Sequence, residues 1–463
     1  MMSPFANAIY RRLFAAHVIA LAGSGLATIA LALLAYDLAG GDAGLVLGTA
    51  LALKMVAYVV IAPAVGGFAH RLPRRGLLIA LDVARAGAIA CFPFVTEVWQ
   101  IYGLIFLLSA CSAGFTPTFQ ATIPDVLPDE AQYTRALSLS RLAYDLENLL
   151  SPTFAVAALL VMSYHGLFVA NAAAFLVSAL LLLSVTLPAS TATVERTGIV
   201  HNLSFGTLAY LKTPRLRGLL ALSLAVSAAG TMVIVNTVVF VRDRLGGNES
   251  DTALAFAAAG AGSMMVALVL PRLLDRMPDR PFMVAGGGLL GGGLLLGLAI
   301  DDLPTLMAVW LVLGIGSSLV QTPAGRLLRR SADDGDRQAI YAAQFALSHA
   351  CWLIGYPLAG WLGGAFGMAT ALVVLVLIAL AGTVAALLLW PARDDAVLAH
   401  HHEAMAHEHL HVHDEHHRHD HDHDHDHGDA EIGEPHSHAH HHAPLRHRHP
   451  YVINLHHSVW PRH

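Results

Sequence analysis

Of the 29 histidines in this 463-residue chain, 24 lie between His400 and His463. They come as His400, His401 and His402, then His407, His409, His411 and His413, then His416, His417 and His419. The run His421, His423, His425 and His427 is interleaved with Asp422, Asp424 and Asp426. A second cluster holds His436, His438, His440, His441 and His442. Imidazole ligates Ni, Zn, Cu, Fe and Co, and a short His-rich tract is a compositional sign of metal binding. In an extended chain, residues two apart project to one side about 7 Å apart. The 421–427 run then presents imidazoles along one edge and carboxylates along the other. Unperturbed imidazole titrates near pH ~6.5, so most of these rings are neutral and able to ligate at pH 7. Several weak, exchanging sites are expected rather than one rigid cage. The stretch is too polar to bury a core and is expected to be disordered without metal. It has no cysteine, so a soft thiolate site for Cu(I) has no support.

A second set of chemically capable residues sits inside long apolar runs, where charge is costly and usually functional. Arg141, Tyr144, Asp145, Glu147 and Asn148 fall in one such run. Helical spacing puts Arg141, Asp145 and Asn148 on one face and Ser140, Tyr144, Glu147 and Ser151 on another. Arg141 with Asp145 reads as a structural ion pair. Glu147 has no charged partner on its stripe, so it is the candidate for proton coupling or cation contact. His349 reads as a transport ligand, a proton carrier or a hydrogen-bonded packing residue. Lys54 repels a divalent cation, so gating or pairing with a carboxylate suits it better than ligation. His17 is open between ligand and packing. Asp37 reads as a solvated helix-end charge, Asp82 with Arg85 as a structural pair, and Asn171 and Asn236 as interhelical hydrogen-bonding groups. Glycines 286–288 and 291–293 read as close helix packing, because no basic residue follows them and no strand precedes. Cys91, Cys111 and Cys351 sit in apolar runs with no CxxC spacing and read as packed small residues.

The elements that must position these groups are membrane helices. The chain is 56% hydrophobic and 13% charged, with mean hydropathy +0.57; a soluble domain carries about 25% charged residues. From Pro391 onward there are 13 acidic against 5 basic residues, so the net charge of −6 comes from the tail. Arg11 and Arg12 followed by an apolar run resemble a signal peptide, but the run from 13 to 35 is too long for a signal core and reads as a first membrane helix. Windows of about 20 apolar residues predict twelve spans: 13–37, 43–68, 76–96, 99–121, 137–162, 166–187, 217–241, 252–271, 281–300, 304–324, 339–363 and 367–390. The fold class is therefore all-α membrane protein. Its parts are a six-helix bundle over 1–188, a cytoplasmic linker over 189–216, a second six-helix bundle over 217–391 and a metal-binding tail over 392–463. Lys and Arg concentrate in the loops that share a side with the N-terminus, including Arg74, Arg75, Arg135, Lys212, Arg280, Arg326, Arg330 and Arg337. The positive-inside rule puts both termini in the cytoplasm. The bundles repeat. Asp275-Arg276 follows His70-Arg71 by 205 residues, Thr322-Pro323 follows Thr116-Pro117 by 206, and Pro357 follows Pro152 by 205. Duplicated six-helix units of this kind form transporters with a central pathway.

In these features the chain resembles the major facilitator superfamily, over about residues 10–390. The family's G-x-x-x-D-R-x-G-R-R loop, understood as a conformational latch, corresponds to Gly66, His70, Arg71, Pro73, Arg74 and Arg75. Its aspartate is replaced by His70 and its second glycine by Pro73. The second copy keeps Asp275, Arg276 and Arg280 but has Pro271 in place of the first glycine. A major-facilitator body with a His/Asp-rich cytoplasmic C-terminus looks like the bacterial nickel-resistance permeases. The segment Ile123–Pro128 looks like the siderophore-exporter branch related to them. The resemblance implies a proton-coupled exporter of a divalent transition metal in the bacterial inner membrane. Ni(II) is favoured, Co(II) and Zn(II) stay open, and the metal is both substrate and tail ligand. The lipid bilayer and protons are the other expected partners. No tightly bound cofactor, nucleic-acid partner or enzymatic activity is expected, and there is no Walker motif. The alternatives are an exporter of a siderophore, drug or other organic solute, and a membrane-anchored metal sensor or store.

Overall fold

The computed structural model describes residues 3–39, 43–68, 72–188, 199–333 and 335–394, and in the tail 397–402, 405–411, 436–442, 445–453, 457 and 460. Among the described residues, a first set of helices comprises α1 (Ala8–Ala39), α2 (Ala43–Phe68), α3 (Arg74–Ala90), α4 (Val98–Val126), α5 (Glu130–Leu159) and α6 (Tyr164–Leu183). A shorter α7 (Ile199–Lys212) stands in the expected linker. The second set comprises α8 (Pro214–Val239), α9 (Glu249–Leu274), α10 (Asp279–Leu296), α11 (Leu303–Arg330), α12 (Arg337–Phe366) and α13 (Met368–Leu389). Apolar runs of this length form helices because hydrocarbon offers no water to an unpaired amide, and the helix satisfies its own. Ten helices are long and apolar enough to cross a membrane; α5, α7 and α12 are not among the ten. In α5 the cause is plain, since Arg135, Arg141, Asp145 and Glu147 interrupt its apolar face.

Local signals set the helix starts. The Asp129 carboxylate accepts from the Gln132 amide at 2.8 Å, and Asp302 accepts from Thr305 at 2.8 Å. Glu97 and Gln100 form a reciprocal capping box ahead of α4. Each cap satisfies amides that have no intrahelical partner.

Within the first bundle α1 and α3 pack on α6, and α2 packs on α4; within the second, α9 packs on α11, and α13 on α8 and α10. The bundles meet along α2 with α12 and along α5 with α9, and α7 lies against α2 and α12. Helix α7 approaches closely enough that a β-carbon on Gly206 would sit 2.4 Å from the Ala339 carbonyl oxygen. The glycines of α10 behave as close-packing residues. A β-carbon on Gly286 would lie 2.7 Å from the Gly316 carbonyl, and one on Gly291 would lie 2.5 Å from Leu380.

The cores differ. The second bundle is filled by one continuous cluster that includes Leu222, Met232, Leu290, Trp310, Leu375 and Trp390. The first has two clusters, one around Ile89, Phe92, Phe168 and Phe175 and one around Tyr10, Leu13, Leu78 and Phe119.

The tail, expected to be disordered without metal, has described segments that are strands. β1 (Val397–His402) pairs antiparallel with β4 (Leu445–Pro450), and β2 (Met405–His411) pairs antiparallel with β3 (His436–His442). Period-2 alternation suits such pairing. It sets His407 opposite His440, His409 opposite His438 and His411 opposite His436 in register. His413, His416, His417, His419, His421, His423, His425 and His427 lie outside the described residues, as do His70 and Arg71.

Candidate functional site

Two places concentrate polar chemistry. The first is halfway along the bundle, where α2, α5 and α12 converge. Lys54 on α2 lies 5.7 Å from the centre of the Tyr58 ring. It interacts electrostatically with Tyr144 and Glu147 of α5 and Tyr356 of α12. The Glu147 carboxylate accepts from Ser151 Oγ at 3.1 Å, and Gly25 of α1 presses against both side chains. His349 on α12 stacks edge-on against Tyr58 with centroids 4.8 Å apart and lies 4.1 Å from the Phe345 ring. Its Nδ1 is 2.7 Å from the Phe345 carbonyl oxygen, one turn back on its own helix. A carbonyl oxygen can only accept, so that bond puts the proton on Nδ1 and leaves Nε2 as the unprotonated ring nitrogen. Lys54 thus stands within electrostatic reach of Glu147 in the first bundle and of His349 in the second, beside the Tyr58 ring.

Asp145 and Arg141 engage other partners. Arg141 pairs with Asp145 at 3.1 Å. Ser263 of α9 donates to Asp145 at 2.5 Å and accepts from Arg141 Nε at 3.0 Å. Arg141 also donates to Gln321 of α11 at 3.2 Å. The pair therefore ties α5 to the second bundle, beyond the local ion pair expected. Two residues of offset on α5 separate a carboxylate that bonds the second bundle from one that packs beside Ser151 and Gly25 of the first. His17 stacks on Phe119 of α4 at 5.2 Å and packs inside the first bundle. Among the described residues, no group of three or more His, Cys, Asp or Glu side chains is placed to hold a metal ion.

The second place is the end of the bundle that carries both termini. Asp125, at the end of α4, pairs with Arg74 at the start of α3 and with Arg337 at the start of α12. Gly66 there faces Ala342 of α12 so closely that a β-carbon would come within 2.5 Å of its methyl. Asp279 at the start of α10 pairs with Arg326 at 3.1 Å and with Arg330 at 3.2 Å. Arg326 reaches across to Glu130 at the start of α5, 2.7 Å away. The hydroxyls of Tyr133 and Tyr341 are hydrogen-bonded to each other at 2.7 Å, and both lie within 3.2 Å of the Gly325 carbonyl oxygen, to which the one that accepts in that bond donates. Arg135 and Asp275 stand 3.9 Å apart. Arg75 donates to the carbonyls of Leu182 and Leu183, and Arg280 to those of Leu387 and Trp390. Contacts between the bundles join this end of the molecule.

Of the residues the latch resemblance implied, Gly66, Arg74, Arg75, Asp275 and Arg280 stand at this end. Sequence reasoning did not single out Asp125, Asp279, Arg326, Arg330 and Tyr133, which make contacts there too. The signal was available in the repeat. Shifting Arg74 and Asp125 by 205 residues gives Asp279 and Arg330, the same ion pair with its charges exchanged.

The family model described as Major Facilitator Superfamily matches residues 13–277 and 220–412. This chain belongs to the major facilitator superfamily. It is a membrane transporter. Among curated relatives it is 22% identical over 319 residues to the uncharacterized MFS-type transporter YfiS of Bacillus subtilis, covering 66% of this chain and 76% of that one. It is 31% identical over 139 residues to macrolide efflux protein A of Streptococcus pyogenes, but that match spans only 29% of this chain and 34% of the relative. Among solved structures, the human organic anion transporter MFSD10 superposes with TM-score 0.72 at 12% identity, covering 83% of this chain and 100% of that one. A bacterial homologue of the iron transporter ferroportin, in its outward-facing state, superposes with TM-score 0.69 at 14% identity, covering 82% and 99%. At these identities the structural likeness concerns the fold.

Proposed function

We propose that this major-facilitator chain is a proton-driven exporter of a divalent transition metal, Ni(II) first, in a bacterial cell membrane with both termini in the cytoplasm. The observation that carries the metal is the concentration of 24 of 29 histidines in the last 64 residues, a device an organic solute does not need. The tail gathers the ion and raises its concentration at the inward mouth. Glu147 supports the coupling. It is a carboxylate halfway through the bundle, bonded by Ser151 and within electrostatic reach of Lys54, an attraction present only while Glu147 is ionised. Protonation of Glu147 frees Lys54, and deprotonation draws it back, so proton entry and the rearrangement of α2, α5 and α12 are linked. His349 Nε2 and the Glu147 carboxylate offer the ion a passing site of two ligands, weak enough to release. The gate formed by Asp125, Arg337, Arg326 and Glu130 is then the cytoplasmic gate, closed here in an outward-facing arrangement.

A second reading has its own observations. Tyr58, Tyr144, Phe345 and Tyr356 surround Lys54 and His349, and one relative is a macrolide efflux protein. An amphipathic organic solute fits such a wall. Flux into inside-out vesicles under an imposed proton gradient separates the readings, with Ni(II), Co(II), Zn(II) and a macrolide as cargo. Uncoupler-sensitive Ni(II) accumulation supports the metal reading. Macrolide accumulation without any metal flux replaces it with the organic one.

A further inference from the structure

The chain does not simply trail away after its histidines. Tyr451, Val452, Ile453 and His457 are buried, at 4–7% exposure, although they lie some sixty residues beyond the last bundle helix. Tyr451 and Ile453 belong to the same continuous core as Leu216, Trp310 and Trp390, and Trp460 packs against it. The Tyr451 ring meets Trp460 edge-on at 5.2 Å and His457 at 4.5 Å.

What they seat on is Arg215, at the start of α8 and 1% exposed. Its guanidinium lies 5.0 Å from the centre of the Trp460 ring and donates to the Tyr451 carbonyl at 3.5 Å. A buried guanidinium is costly unless it is paired, and its carboxylate partner is Asp394 at 3.7 Å. Asp394 also accepts from Trp390 Nε1 at 3.0 Å and stands 3.9 Å from Arg330. Arg330 pairs with Asp279, Asp279 with Arg326, and Arg326 with Glu130 of the first bundle. An unbroken line of charge contacts therefore runs from the last residues of the chain to the contact that closes the gate.

We infer that Tyr451, Val452, Ile453, His457 and Trp460 form an intramolecular clasp that seats on Arg215 and biases the gate at the termini end towards its closed state. β1 and β4, which flank the histidine-rich segment in the sequence, pair with each other. The direction follows from the sharing of partners. Arg215 and the clasp hold Asp394, and Asp394 holds Arg330 against Asp279. Without the clasp, Arg215 loses its ring and carbonyl partners, Asp394 turns to compensate it, and the Asp279–Arg326–Glu130 bridge loses its support. The clasp rests on the fold and these contacts, and holds whatever the cargo is.

The test reads the gate directly. Labels on Leu72→Cys and Met277→Cys, both exposed and on opposite bundles at the gate, report its width by pulsed electron resonance in the full-length protein, with exposed Cys91 replaced by Ser. Loss of one desolvated cation–π contact is expected to raise the open-to-closed ratio about fivefold. Trp460→Ala and removal of residues 451–463 should both do so, while Trp460→Phe should keep the closed distribution. A protease site inserted at 428–435 and cleaved in the folded protein gives a second measure. The fragment carrying residues 451–463 should stay bound, and more of it should wash away with Trp460→Ala. A gate distribution unchanged in folded Trp460→Ala protein, or a fragment that washes away from the cleaved protein while Trp460 is intact, overturns the clasp.

Discussion

The two bundles share one architecture and spend it differently. Positions related by 205 residues carry the same contacts at the gate. Arg75 caps the end of α6 as Arg280 caps the end of α13, and Arg74 with Asp125 is answered by Asp279 with Arg330. Halfway along the helices the likeness stops. Asp82 and Arg85 form a buried ion pair, bonded by Ser178 at 2.7 Å and covered by the rings of Phe115 and Phe175. Their counterparts are Gly287 and Leu290. Lys54, Asp145 and Glu147 correspond to Ala259, Ala350 and Trp352. The core of the first bundle is in two clusters, while the second bundle packs as one. Duplication supplied two copies of the gate and left only one copy of the charged centre. A proton-coupled device needs only one carboxylate in the pathway, and a second would have to be desolvated without a partner. Under the proposed coupling, the apolar second bundle would be the wall against which the charged one works.

The comparison can be broken in four places. The largest effect is expected at Glu147. Glu147→Gln should lower uncoupler-sensitive flux about a hundredfold or more, since no carboxylate in the second bundle can stand in. Retention of more than a tenth of the flux would move coupling elsewhere.

Next comes the buried pair. Asp82→Ala should destabilise the protein by about 3–5 kcal/mol by stranding Arg85 in the core, whereas the double change Asp82→Gly with Arg85→Leu, which copies the second bundle, should cost less. Thermal unfolding in detergent compares them. If the double variant is the less stable, the apolar pattern of the second bundle is not transferable to the first.

The exchanged gate charges give a sharper test of smaller size. Arg74→Asp with Asp125→Arg reproduces the order of the second bundle but leaves Arg337 facing a guanidinium. Closed-gate protein should fall by about tenfold, and adding Arg337→Glu should restore most of it. Cross-linking between Leu72→Cys and Met277→Cys measures the closed fraction. Recovery without the third change would show that Arg337 does not depend on Asp125.

The smallest change is expected at Gly287, where a β-carbon would come 2.6 Å from Thr383 Oγ1. Gly287→Ala should cost about 1–3 kcal/mol by overpacking, with flux per folded molecule unchanged. A fall in flux at unchanged stability would give the second bundle a larger part in transport than a wall.

Asn236 and Asn171 mark the boundary of what pattern can tell. Both read as interhelical groups. Asn236 does bond the Ala359 carbonyl of α12 at 3.2 Å. Asn171 lies against Gly23, but its Oδ1 has no hydrogen-bond partner among the described residues. A polar residue in an apolar run announces that something must be satisfied, not by what. Likewise the spacing of Arg141 and Asp145 announced their pair, while the bonds to Ser263 and Gln321 join residues more than a hundred positions apart and leave no local trace.

The amino-acid order alone determined the helices, the duplication, the loop charges and the histidine-rich tail, because each is a local or periodic property read by hydrocarbon, water or backbone geometry. Tertiary structure decided which neighbours each charge would have. It sent Asp145 to the opposite bundle and Glu147 to Lys54, put His17 into a ring stack, gave Asp125 two arginines and brought the last residues of the chain back to Arg215. Such pairings depend on distances of a few ångströms between helices remote in sequence, where a low dielectric makes the choice of partner the dominant energy.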